Sequence, residues 1–304
     1  MKEESEVESV LSNALSTQLD LDGIKCKQVI GKGVCSTVKL AWHESLHKHV
    51  AIKVVDRRSG SDYVVRFLPR EVQILRSLSH QNIIAFFDVV EVHPFVCIVQ
   101  EHADNGDLLQ RIKRDGLIDE DESRFLFRQI IEALSYLESM RVVHRAVKCE
   151  NVFLDSYDNV KLGDFGFSRY MHTNDLSRTF CGSRAYAAPE VLRSRPYNGF
   201  GVDVWSAGVV LYVMVTGLML YDDRYPERML DKQMHHRITF PSGRSLSEEL
   251  KRLMFEMLHP KPSKRANYAQ IIKSAWLINT PYRMRTEHRS SPPTSDFTSK
   301  SDKD

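Results

Sequence analysis

His144-Arg145-Ala146-Val147-Lys148-Cys149-Glu150-Asn151, followed by Lys161-Leu162-Gly163-Asp164-Phe165-Gly166, decides how this chain is read. Asn151 and Asp164 carry hard oxygen atoms, the donor type that suits hard cations. Upstream, Gly31-Lys32-Gly33-Val34-Cys35-Ser36-Thr37-Val38 sets two glycines where a backbone can approach a phosphate closely. Alone, such a pair between strands is no more than a turn signal. The next stretch, Val50-Ala51-Ile52-Lys53, adds weight, because its spacing sets the Lys53 ammonium across from that loop.

The rest of the composition excludes more than it selects. With 42 Lys and Arg against 40 Asp and Glu, the net charge of +2 offers no broad field for nucleic acid or for an anionic membrane. The acidic, polar start lacks a secretory pattern, and a cytoplasmic location is expected. Five scattered cysteines without a C-x-x-C pair point to reduced thiols. The uncharged run Val204 to Tyr221 approaches membrane-spanning length. Its Trp205, Ser206, Gly208 and Gly217 favour a buried core helix instead.

Alternating, β-branched runs over Cys26–Leu40, Val50–Val55, Ile83–Val92 and Phe95–Val99 predict strands. One helix interrupts them at Pro69–Leu78, with Val72, Leu75 and Leu78 along a face. From Asp119 the pattern turns helical, and Phe125, Ile130, Leu134 and Leu137 mark one long amphipathic segment. An α+β chain of two lobes is expected, a small strand-rich lobe at 24–103 and a larger helical one at 104–278, with a ligand cleft between. Residues 1–23 and 279–304, polar and rich in charge, Ser and Pro, are expected to be unstructured tails.

Taken in order, these stretches resemble the motifs of a eukaryotic protein kinase, continued by Ala188-Pro189-Glu190 and Asp203-Val204-Trp205-Ser206-Ala207-Gly208. Lys148 within the catalytic loop is similar to serine/threonine kinases. Phe67-Leu68-Pro69-Arg70-Glu71, Asp164-Phe165-Gly166-Phe167-Ser168 and the segment Thr179 to Glu190 resemble the testis-specific serine kinases.

The resemblance implies a bilobal kinase fold, ATP and Mg2+ as cofactors, and a protein substrate. Ile30, Gly31, Lys32, Gly33, Val34, Cys35, Ser36, Thr37 and Val38 would cover the nucleotide, and Ala51 and Phe153 would enclose the adenine with Val38. Gln100 would be the gatekeeper, and Glu101, His102 and Ala103 the hinge. Lys53 would hold phosphate oxygens, oriented by Glu71, while Asn151 and Asp164 would bind the metal. Leu75, Phe86, His144 and Phe165 would stack between the lobes, and Glu190 would pair with Arg265. Thr179 would be the activation-loop phosphosite for an upstream kinase, with Arg145 as its guanidinium partner. Asp107 and Glu150 would receive an arginine of the substrate.

One position departs from the pattern. Ala146 stands where the resemblance implies the aspartate that receives the substrate hydroxyl proton, next to Arg145 and Lys148. Two readings follow: a serine/threonine kinase with strongly impaired transfer, or a pseudokinase that works as an ATP-binding scaffold or allosteric partner.

Overall fold

A computed structural model describes residues 13–33, 35–172, 175–177 and 182–287. Strands β1 (Ile24–Lys32), β2 (Ser36–His43), β3 (Lys48–Asp56), β4 (Phe86–Val92) and β5 (Phe95–Glu101) form one antiparallel sheet in the order β1-β2-β3-β5-β4. Successive strand side chains point to opposite faces. Val50 and Ile52 therefore join Ala41, Cys97 and Val99 in an outer core, while Ala51 and Lys53 face the other way.

That outer core corrects the expected N-terminal tail. Residues 13–21 form a helix, α1, whose Leu15 and Leu19, four apart on one face, are buried against the sheet. The helix expected at Pro69–Leu78 is α2, Leu68–Ser77, with proline in its first turn where no amide is needed. It buries Leu68, Ile74, Leu75 and also Glu71.

The larger lobe is built on α4 (Glu120–Ser139) and α6 (Gly199–Thr216), preceded by α3 (Leu108–Asp115) and completed by α5 (Pro189–Leu192), α7 (Pro226–Met234), α8 (Glu248–Met257) and α9 (Tyr268–Ile272). Short strands β6 (Val142–Val143) and β9 (Arg169–Tyr170) pair, as do β7 (Val152–Leu154) and β8 (Val160–Leu162). α6 is long and apolar enough to cross a membrane, yet 89% of it is buried inside the protein, between α4 and α8. Along α4 the buried stripe is Leu126, Phe127, Ile130, Ile131, Leu134 and Leu137, and Phe125 lies beside it, half-buried.

The expected C-terminal tail is also shorter than its composition suggests. Residues 281–287 run as a strap along the lobe junction. Arg128 donates to the Thr280 carbonyl at 2.9 Å, Gln129 to that of Arg283 at 2.9 Å, and Asn159 to that of Arg285 at 2.9 Å. The Tyr282 hydroxyl donates to Asn82, just beyond α2, at 2.7 Å. The Arg285 guanidinium grips buried Glu122. Polar composition hid this because the strap's backbone is held mainly by polar side chains of the larger lobe.

Candidate active site

The sheet carries the upper wall of the cleft. Gly31 pairs with Val38 and Lys32 with Thr37, Val38 lies opposite Lys53, and Ala51 lies opposite Gln100. Ile30 is exposed on β1, and the Gly33 amide closes the turn by donating to the Ser36 carbonyl at 2.8 Å. A Cβ on Gly33 would come 2.9 Å from Ser36 Oγ, so the tight turn favours glycine there. Cys35 Sγ contacts Ser61 Oγ at 3.4 Å; Val34 lies outside the described residues.

Lys53 Nζ donates to Glu71 Oε1 at 2.6 Å and lies 3.9 Å from Asp164 Oδ1. Burial works against the Lys53 charge, but Glu71, Tyr63 and Asp164 outweigh it and hold the ammonium above its ordinary pKa. The Glu71 side chain is only 1% exposed, so the pair is desolvated rather than a surface ion pair. Glu71 is thus the inner partner of the pair.

The lower wall is fixed from α6. Asp203 accepts the His144 amide at 2.7 Å and the Arg145 amide at 2.8 Å. Burial pushes its carboxyl up to about 7, against the pull of those amides and of Arg145. These bonds hold Arg145 at φ 61°, and Asp164 sits at φ 59°. Both lie in the left-handed region that non-glycine residues seldom adopt. The His144 ring meets Phe165 edge-on at 4.8 Å and bonds the Gly163 carbonyl at 3.0 Å; burial lowers its pKa to about 4, so it stays neutral. Leu75 and Phe165 are buried in one core, with Phe86 packed against it.

Asn151 Nδ2 donates to the Ala146 carbonyl at 2.8 Å, which leaves its carbonyl oxygen available as a ligand. The Asp164 carboxylate is 41% exposed in the cleft. Two hard oxygens therefore fit a magnesium ion held with phosphate. Ala146 is buried and lines a cavity of about 20 Å3 together with Lys148, Ser183 and Tyr186. Lys148 Nζ lies 4.0 Å from Glu150.

A model of the protein kinase domain matches residues 24–277 of this chain. Testis-specific serine/threonine-protein kinase 1 of Mus musculus is 43% identical over 255 residues, covering 82% of this chain and 70% of that protein. Testis-specific serine/threonine-protein kinase 3 of Homo sapiens is 39% identical over 263 residues, covering 85% and 97%. The chain belongs to the testis-specific serine/threonine kinase family.

In this kinase the Glu101 side chain turns from the cleft to accept the Ala85 amide at 3.0 Å and pair with Lys161 at 2.8 Å. The backbone of Glu101, His102 and Ala103 runs from the end of β5 toward α3 and so joins the two lobes. Phe153, on β7, lies beneath Gly163, where an added Cβ would come 2.8 Å from its ring. Asp107 and Glu150 are near enough to interact, and burial, then Glu150, raises the Asp107 carboxyl above its ordinary range. Asp107 also caps α3 by accepting the Gln110 amide at 2.9 Å. The expected Glu190–Arg265 pair is present and bidentate, at 2.7 and 3.0 Å.

Sequence reading missed three contributors. Arg66, Arg70 and Arg169 gather with Tyr170 around a cleft next to Arg145. Burial, then Arg145, Arg169 and Arg66, lowers the Arg70 pKa, the mark of a crowded cationic cluster. Arg145 gives Nε to the Phe167 carbonyl at 2.7 Å, and its Nη2 has no partner among the described residues. Arg66 and Arg70 are four apart, but Arg169 is distant in sequence, and the packing of α2 on β9 brings it to them. Thr179 itself lies outside the described residues.

Proposed function

We propose that this kinase binds magnesium-ATP in the cleft, and that Ala146 takes the place of the general base, leaving phosphotransfer to serine or threonine of a protein substrate severely slowed. The observation that carries the reading is the assembled Lys53–Glu71 pair at 2.6 Å beside Asp164. When bound, magnesium would supply charge neutralisation to the transferring phosphoryl group. Lys53 would hold α- and β-phosphate oxygens, Asn151 and Asp164 would hold the metal, and Lys148 would face the transferred group. The Ala146 methyl can neither accept a proton nor orient a hydroxyl. Loss of a general base costs about 10²–10⁴-fold, roughly 3–5 kcal/mol of barrier.

The same alanine favours a second reading, an ATP-binding scaffold or allosteric partner without transfer. The arginine cluster supports Thr179 as a site phosphorylated by an upstream kinase, since a phosphate would relieve four crowded guanidinium groups with charge-assisted bonds. Asp107 and Glu150 support a preference for arginine ahead of the target residue.

Thermal unfolding tests nucleotide binding directly. The midpoint should rise with millimolar ATP and magnesium, because a ligand of the folded state alone stabilises it. Lys53→Met should remove the rise. An unchanged midpoint in the unmodified protein would overturn the reading.

A further inference from the structure

No motif of the sequence includes Tyr63, yet it lies against Glu71, Lys53 and Gly166 together. It opens a π-helical turn, Tyr63–Phe67, that leads directly into α2, with the Leu68 amide donating back to the Tyr63 carbonyl. Such turns recur at functional sites. The Tyr63 hydroxyl donates to Glu71 Oε2 at 2.5 Å, while Lys53 takes Oε1, so each oxygen of this buried carboxylate has its own donor. Lys53 Nζ lies 5.2 Å from the Tyr63 ring centroid, within cation–π range. On its other side the ring lies against Gly166, where an added Cβ would come 3.3 Å from Tyr63 Cε2.

The far end of the same turn repeats the contact. The Phe67 ring meets Phe167 edge-on at 5.8 Å, so the turn spans two successive residues of the activation segment. Just before it, Ser61 reaches Cys35 of the glycine-rich loop at 3.4 Å. Burial raises the Tyr63 pKa above the ordinary phenol range, which keeps the hydroxyl a donor at physiological pH.

From this geometry we infer that Tyr63 is a positioning residue, a latch that ties the Lys53–Glu71 pair to the Asp164–Gly166 turn so that α2 and the metal-binding turn stay assembled as one unit. A carboxylate sealed from water and served by only one donor would lose about tenfold or more in the population of the inward arrangement, the worth of a hydrogen bond to a charged group. The inference rests on the nucleotide-site reading for its consequence in transfer, but the latch itself can be measured without nucleotide.

Amide hydrogen exchange of peptides spanning Leu68–Ser77 in the full-length protein is the test, read for wild type, Tyr63→Phe, Glu71→Gln and the double variant. Tyr63→Phe should speed exchange about tenfold, and the double variant should exchange like Glu71→Gln alone, because hydroxyl and carboxylate act through one bond. Wild-type rates in Tyr63→Phe, or independent effects that add in the double variant, would overturn the latch. In an Ala146→Asp background, Tyr63→Phe should lower kcat by a similar factor while leaving the peptide KM unchanged. Loss in KM alone would contradict it. Failure of wild type to bind ATP would sink the nucleotide reading and leave the exchange result standing on its own.

Discussion

Replacing Arg285 by Ala should destabilise the kinase domain far more than a change in a polar, charge-rich segment normally does. The guanidinium donates to Glu122 Oε1 at 3.0 Å and to Oε2 at 2.5 Å, and lies 3.9 Å from the Phe125 ring centroid. Its amide also donates to Asn159 at 2.7 Å, a bond that survives the substitution. The Glu122 side chain is 3% exposed, and Arg111 remains 3.2 Å away, so the carboxylate keeps part of its compensation. Breaking a fully buried pair costs about 3–5 kcal/mol, and the retained Arg111 brings this down to about 2–3 kcal/mol. For a domain of this size that is a fall of about 5–10 °C in unfolding midpoint. Differential scanning fluorimetry of Arg285→Ala and Arg285→Lys measures it, and Lys, lacking the planar fork, should recover only part. A shift under about 1 °C for Arg285→Ala would mean that the strap rests on the surface and contributes nothing to the lobe junction.

Other outcomes follow from the same bonds. Arg265→Met leaves Glu190 buried without its bidentate partner and should cost about 3–5 kcal/mol in urea unfolding; a loss below about 1 kcal/mol would refute that role. His144, lowered to about 4, contributes stability that is present above its unfolded pKa near 6.5 and lost as pH falls toward 4, whereas Asp203, raised to about 7, contributes stability present below about 4 and lost as pH rises toward 7. The two slopes offset, so Asp203→Asn should make the domain more acid-sensitive between pH 6.5 and 4.5 than wild type, by about 1 kcal/mol per pH unit. Equal pH dependence of the urea midpoints would contradict this assignment. On an active form, Asp107→Asn with Glu150→Gln should abolish arginine preference on a peptide array, asparagine being chosen because it still caps α3; an unchanged preference would remove both from substrate recognition.

Much of the fold was legible because its signals are local: β-branched alternation around Val50–Val55, the glycine turn at Gly31–Gly33, proline at the start of α2. Motif spacing then placed Lys53, Glu71, Asn151 and Asp164 at one cleft. What stayed hidden depends on partners far apart in the chain. Leu15 and Leu19 become a helix only against the sheet face that they cover, and the strap is ordered by Gln129, Asn159 and Glu122, whose own neighbours in sequence say nothing about it. Phe125 fell outside the buried stripe because its ring serves Arg285. The arginine cluster and the Tyr63 contact are equally non-local, built where α2 meets β9 and Gly166.

The central claim is that this nucleotide site is assembled and lacks only its proton acceptor. Transfer of labelled γ-phosphate to an arginine-containing serine peptide, compared between wild type and Ala146→Asp with Asp164→Asn as blank, tests it most directly. The carboxylate should raise kcat by about 10²-fold or more with little change in ATP affinity. Blank-level rates in both proteins, with ATP binding verified and Thr179 phosphorylated, would contradict the claim and leave the chain as a scaffold.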